Sequence, residues 1–175
     1  MAAYAGYPAA MASSRRIDQA LLAASEAEKL PDRVAAAQKT DAERDRDAAE
    51  VLATMSGRPA PLDPAEGRGW LEGMVGEVGV VAYRWAFGEI WCRPQLSRRD
   101  RSIVVISILV NLGAVNELAF HAPAGLRHGL TREEIEEVVT HLSLYAGIPR
   151  AVEAMRAVRE AFTRLDEASK EKLGP

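Results

Sequence analysis

A chain of 175 residues, 48% hydrophobic and 27% charged, is long enough for one domain with a sizeable core and ordinary for a soluble globular protein. A net charge of −3, a pI near 5.7 and no Lys/Arg cluster interleaved with aromatics argue against nucleic acid or an anionic membrane surface as partner. The single cysteine, Cys92, excludes an internal disulfide framework and a paired thiolate metal site, and suits a reducing cytoplasm.

In chain order, residues 1–12 read as a loose tail of Ala, Gly, Tyr and Pro, without an export signal, because Arg15 and Arg16 follow the Ala-rich part instead of preceding it. Ser14 to Leu30 fits a helix that Pro31 ends or restarts. The stretch Asp32 to Met55 has few large apolar residues (Val34, Val51, Leu52, Met55), so it is expected as a solvated helix or an oligomer contact. Ser56-Gly-Arg-Pro-Ala-Pro-Leu-Asp-Pro breaks any helix, which divides the chain into an N-terminal tail and helical extension (1–56) and a helical domain (57–175). All three Trp fall between 70 and 91.

Ser97 with Asp100 reads as a capping box opening Ser102-Ile-Val-Val-Ile-Ser-Ile-Leu-Val-Asn-Leu. That helix is too apolar all round for a surface position, yet shorter than the 18 or so residues of a membrane span, so it is expected in the core. Gly113 breaks it. Gly129 fits the C-terminal cap of the next helix, and Thr131 with Glu134 opens a third, with Ile135, Val138, Val139, Leu142 and Tyr145 at core spacing. Gly147 and Pro149 end that helix and start a last one through Phe162.

Within this run Glu117 and His121 stand at i and i+4, one turn apart on one helix face, and His128 follows seven residues on, near the same line. A carboxylate beside an imidazole, flanked by apolar helices, is costly to bury without a purpose. The bland alternative is a solvated i,i+4 pair worth a few tenths of a kcal/mol. His128 could equally complement a helix C-terminus, and His141 could be a hydrogen-bonded core histidine.

The motifs Phe-Gly-Glu-Ile-Trp-Cys-Arg-Pro at 87–94, Arg-Arg-Asp-Arg-Ser at 98–102, Glu117-Leu-x-x-His121, Gly129 with Glu134-Ile-x-Glu137, and Tyr145-x-Gly-x-Pro149 together resemble the carboxymuconolactone decarboxylases, with spacings intact over roughly residues 67–163. The resemblance implies an all-α domain of about six to eight helices, self-associating as a trimer or hexamer. The alkylhydroperoxidase D branch of the same superfamily carries two cysteines, seven and four residues before the matching histidine. Here those positions are Ala114 and Glu117, so the redox branch fits poorly.

The implied reaction is loss of CO2 from an unsaturated lactone acid, as in the catabolism of aromatic compounds, and it needs no cofactor. The electrons left behind spread as a dienolate onto the lactone carbonyl, and one proton must reach carbon. His121 is expected as the general acid, and Glu117 is expected to orient the ring and favour its protonated form. Arg93 and Arg101 are candidates to hold a substrate carboxylate through a guanidinium fork; Arg98 reads as a surface charge. His128, Trp91 and Tyr145 complete the candidate substrate-binding set, although Trp85, Phe87 and Trp91 also read as core or subunit contacts. No metal is expected, because one helix supplies at most two ligands and no second cysteine exists. Competing classes are a related lyase, isomerase or cyclase on a lactone or β-keto acid, a peroxidase-like oxidoreductase, and a non-catalytic oligomeric scaffold.

Overall fold

In the computed structural model of the chain, which describes residues 7–24 and 38–173, every regular element is helical. In order these are α1 (Tyr7–Ala24), α2 (Asp41–Ser56), α3 (Pro64–Val75), α4 (Glu77–Val81), a π-helix (Ala82–Ile90), α5 (Arg98–Leu112), α6 (Val115–Arg127), α7 (Arg132–Ala146) and α8 (Ile148–Leu173). The all-α expectation holds, with eight α-helices and the π-helix among the described residues. None of these is long and apolar enough to cross a membrane.

The chain forms two compact units, Met1–Lys39 and Thr40–Pro175. The first contains α1, which starts at Tyr7, so residues 7–12 are helical where a loose tail is expected. The expected continuation through Leu30 and the break at Pro31 lie outside the described residues. In the second unit α2 belongs with the rest of the domain, so the expected boundary at 56–57 moves to 39–40.

Thr40 and Glu43 start α2 with a complete capping box: Thr40 Oγ1 accepts from the Glu43 N–H, and the Glu43 carboxylate accepts from the Thr40 N–H at 2.7 Å. Ala48, Ala49, Val51 and Met55 are buried, which corrects the expectation of a solvated helix or oligomer contact. The buried face is built mainly of alanine, so it carries little apolar area per residue but lets a neighbour come close. That neighbour is the π-helix, the element packed most extensively on α2. At Gly88 an added Cβ would stand 2.3 Å from the Arg44 carbonyl oxygen and 3.0 Å from its Cα. Backbone cannot yield as a side chain does. Gly88→Ala should therefore destabilise the protein by about 3 kcal/mol, the scale of an overpacked core site, seen as a lower urea midpoint. Wild-type stability in that variant would mean that the two helices are not in such contact.

Asp45 is the buried carboxylate of α2, held by Arg68 and by Arg84, whose Nε lies 2.8 Å from Asp45 Oδ1. Two guanidinium donors meet its oxygens, so the charge is compensated. Gly57 in the left-handed region (φ 69°) ends α2, and the Arg127 guanidinium closes that end by donating to the Met55 carbonyl at 2.6 Å.

Helices α5, α6, α7 and α8 pack on one another, and α6 also packs on α2. Helix α5 thus packs against both α6 and α7. Gly113 (φ 71°) separates α5 from α6, and Thr131 with Glu134 caps α7. Helix α8 runs eleven residues past Phe162, to Leu173. Two expectations of burial fail. Val104 (41%) and Leu112 (55%) leave one side of α5 open, and Tyr145 (73%) points outward at the end of α7. Further large apolar side chains stay exposed in two stretches, Trp70 to Ile90 and Leu144 to Val152.

Candidate active site

His121 comes from the middle of α6 and is 5% exposed. Trp91, directly after the π-helix, stacks on it with ring centroids 6.4 Å apart and planes at 21°. The same Trp91 ring meets His128 at 5.7 Å. The neighbouring Phe120 ring stands edge-on to His121 at 5.2 Å. The wider loops of the π-helix, closed by the bond from the Trp91 N–H to the Ala86 carbonyl at 2.9 Å, bring Trp91 into the core at 4% exposure. Three of the expected site residues, His121, His128 and Trp91, are thus one cluster.

Burial pushes the His121 imidazole down from 6.5 to about 4, and the nearby His128 pushes the same way. His128 is also lowered to about 4, by burial first and then by Arg98 and Arg127. Both rings are neutral at neutral pH. The expected general-acid role of His121 therefore requires the ring to take up a proton first. Glu117 is exposed and makes no hydrogen bond to His121, so it neither orients that ring nor favours its charged form.

His128 is held at both ring nitrogens. Nδ1 lies 2.9 Å from Ser102 Oγ on α5, and Nε2 lies 3.1 Å from Thr54 Oγ1 on α2. Each hydroxyl also has a backbone carbonyl within reach, Arg98 for Ser102 (3.0 Å) and Val51 for Thr54 (2.7 Å). A neutral imidazole offers one donor and one acceptor, so one hydroxyl turns its proton to the ring while the other keeps it on its carbonyl. The ring is satisfied in either tautomer. A hydrogen bond from a His128 ring nitrogen to a substrate requires one of these two bonds to open.

Arg98, expected as a surface charge, donates from Nη1 to Thr54 Oγ1 at 2.8 Å and so joins the cluster through that hydroxyl. Arg93 and Cys92 lie near Arg101. Arg101 Nη2 donates to the Arg93 carbonyl at 2.5 Å, and its buried Nε has no partner among the described residues. Burial and the Arg93 charge lower the Arg101 pKa. Neither guanidinium bonds to a histidine among the described residues. Cys92 is half-buried with Sγ 3.2 Å from the Phe87 carbonyl, in keeping with a packing role. The His141 and Tyr145 rings meet at the exposed end of α7, with centroids 5.2 Å apart. No three His, Cys, Asp or Glu side chains converge on one point among the described residues.

Sequence reasoning missed Thr54, Ser102, Arg98, Arg127 and Phe120. Ser102 did carry a signal, a hydroxyl at the head of an otherwise apolar helix; Thr54 carried none, since its partner is 74 residues away. A cavity of about 240 Å³ adjoins the cluster, with Phe120 in its wall and the rest drawn from α2, the 57–63 connection, α3 and the π-helix.

The model of the carboxymuconolactone decarboxylase family matches residues 81–160, which include Trp91, Ser102, His121 and His128. The chain is 44% identical over 82 residues to the 4-carboxymuconolactone decarboxylase of Acinetobacter baylyi, covering 47% of this chain and 61% of that protein. It is 38% identical over 71 residues to the nitrosuccinic acid decarboxylase of Metarhizium robertsii, covering 41% of this chain and 50% of that one. The chain thus spans between half and about three fifths of the length of these relatives. The helical fold, the motif spacings and both relatives point the same way: over residues 81–160 this chain is similar to the carboxymuconolactone decarboxylase family.

Proposed function

We propose that the protein is a decarboxylase of the carboxymuconolactone decarboxylase type, acting without a cofactor on a small acid. The observation that carries this reading is the buried His121 between Trp91 and Phe120, within the segment that matches the family. The names of the two relatives describe acids in which a departing CO2 can leave its electrons on a conjugated oxygen, of a lactone carbonyl in one and of a nitro group in the other. The substrate class is accordingly an acid with such an electron sink next to the carbon that loses CO2.

In the resting protein His121 is neutral. A carboxylate bound beside it adds a negative charge that favours the imidazolium and raises the imidazole pKa, so a proton enters with the substrate. The C–C bond then breaks, its electron pair moves to the acceptor oxygen, and CO2 leaves toward the apolar rings of Trp91 and Phe120. The imidazolium returns its proton to the carbon, and the ring is neutral again. Incubating the purified protein with 4-carboxymuconolactone, related lactone acids and nitrosuccinic acid should release CO2 from at least one, without added metal or redox cofactor. No CO2 from any of them by a folded protein would overturn the reading.

The same reading makes the protein a homo-oligomer, a trimer or hexamer in the family it resembles. The exposed Val78, Leu144, Tyr145 and Ile148 support it, because so much open apolar surface is unusual on a monomer. A sedimentation mass of one chain would remove the assembly.

A further inference from the structure

The cavity beside Phe120 is built by a part of the chain that the family match does not include. Nine of its eleven lining residues precede residue 81, where that match begins. Its walls are alanine, leucine, proline and aromatic side chains, and Arg58 is the sole charged residue among them. A volume of about 240 Å³ exceeds the roughly 150 Å³ that holds benzene in an apolar cavity and falls short of the roughly 300 Å³ at which drug-sized sites begin. It suits one six-membered ring or a short branched chain.

The cavity is also preorganised. Pro59 and Pro61 fix the backbone of one wall, and Gly57, at φ 69°, turns the chain into it. An added Cβ at Gly57 would fall 2.6 Å from Arg127 Nε, so the turn is fitted against α6. Tyr83 is anchored by its hydroxyl, which donates to the Pro64 carbonyl at 2.7 Å. Phe120, in the cavity wall, also meets the His121 ring edge-on, so the cavity and the histidine cluster share this residue.

We propose that this cavity is a specificity pocket for an apolar ring or short branched substituent carried by the acid substrate, with Arg58 meeting a carboxylate at its open side. The proposal rests on the decarboxylase reading for the reacting group, while the pocket itself is tested by binding. Residues 49–70 would then decide which acid this protein accepts, and the matched segment would supply the chemistry.

Ligand-observed NMR titration of the full chain with benzoate, cyclohexanecarboxylate and acetate makes the test. Both ring acids should bind at least tenfold more tightly than acetate. Ala53→Leu, which reaches into the space from α2, should weaken both ring acids tenfold or more and leave acetate unchanged. Arg58→Gln and Trp70→Ala, at exposed positions that tolerate change, should each weaken the ring acids several-fold. Equal affinity for acetate and benzoate would overturn the pocket, as would ring acids that bind a folded Ala53→Leu protein like wild type. Should Ala53→Leu fail to fold, unchanged ring-acid affinity in both other variants overturns it. Failure of the decarboxylase reading shows up separately, as ring acids that bind while no acid yields CO2.

Discussion

His121→Ala should lower kcat for CO2 release by on the order of 10² or more, the usual contribution of a positioned acid or base, while Glu117→Gln should stay within a few-fold of wild type. Removing the imidazole removes the proton donor from a site where 5% exposure leaves little room for water to replace it. Glu117 reaches solvent and forms no hydrogen bond to the ring, so its charge is screened and its loss changes little at the reacting centre. The check is single-substrate kinetics on the first acid found to turn over, with melting curves to confirm that both variants fold. A His121→Ala enzyme within a few-fold of wild type would place the chemistry elsewhere. A Glu117→Gln enzyme as impaired as His121→Ala would restore the coupled pair that the i,i+4 spacing suggests.

That spacing shows where sequence stops being informative. Positions i and i+4 differ by about 40° around a helix axis, enough at the edge of a buried face to put His121 inside and Glu117 outside. Nothing local records which way the face is turned. Caps are different, because their partners lie three or four residues away. Ser97, Gly113, Gly129 and Thr131 mark ends that the structure reproduces. The burial of α2 was hidden because its inward face is alanine, which periodicity weighs lightly. The π-helix was hidden because one residue too many per turn leaves no compositional mark. Arg98 was lost in the charged run 98–101, and its contact with Thr54 joins positions 44 residues apart.

Stability should fall as the pH drops from about 6.5 toward about 4, by about 3 kcal/mol from His121 alone, from the roughly 1.4 kcal/mol that each unit of pKa difference represents. In the unfolded chain a histidine protonates near 6.5; in the fold His121 and His128 do so only near 4. Above 6.5 both states carry neutral rings and the folded protein has its full stability. Below that, the unfolded chain binds protons first, so stability is lost across the window and levels off under about 4. His128 adds less than its own shift suggests, because it is only half-buried and solvent screens it. Carboxylates held low by arginine, Asp166 by Arg132 and Glu136 by Arg159, also lose stability on acidification, but below the range where histidines titrate first. Urea midpoints between pH 7 and 5 therefore isolate the imidazoles. They should decline in wild type and flatten in His121→Phe, and a flat wild-type profile would mean that the rings reach water. An acid that binds beside His121 should reduce the decline, because its charge lets the folded protein take up the proton that the unfolded chain otherwise takes first.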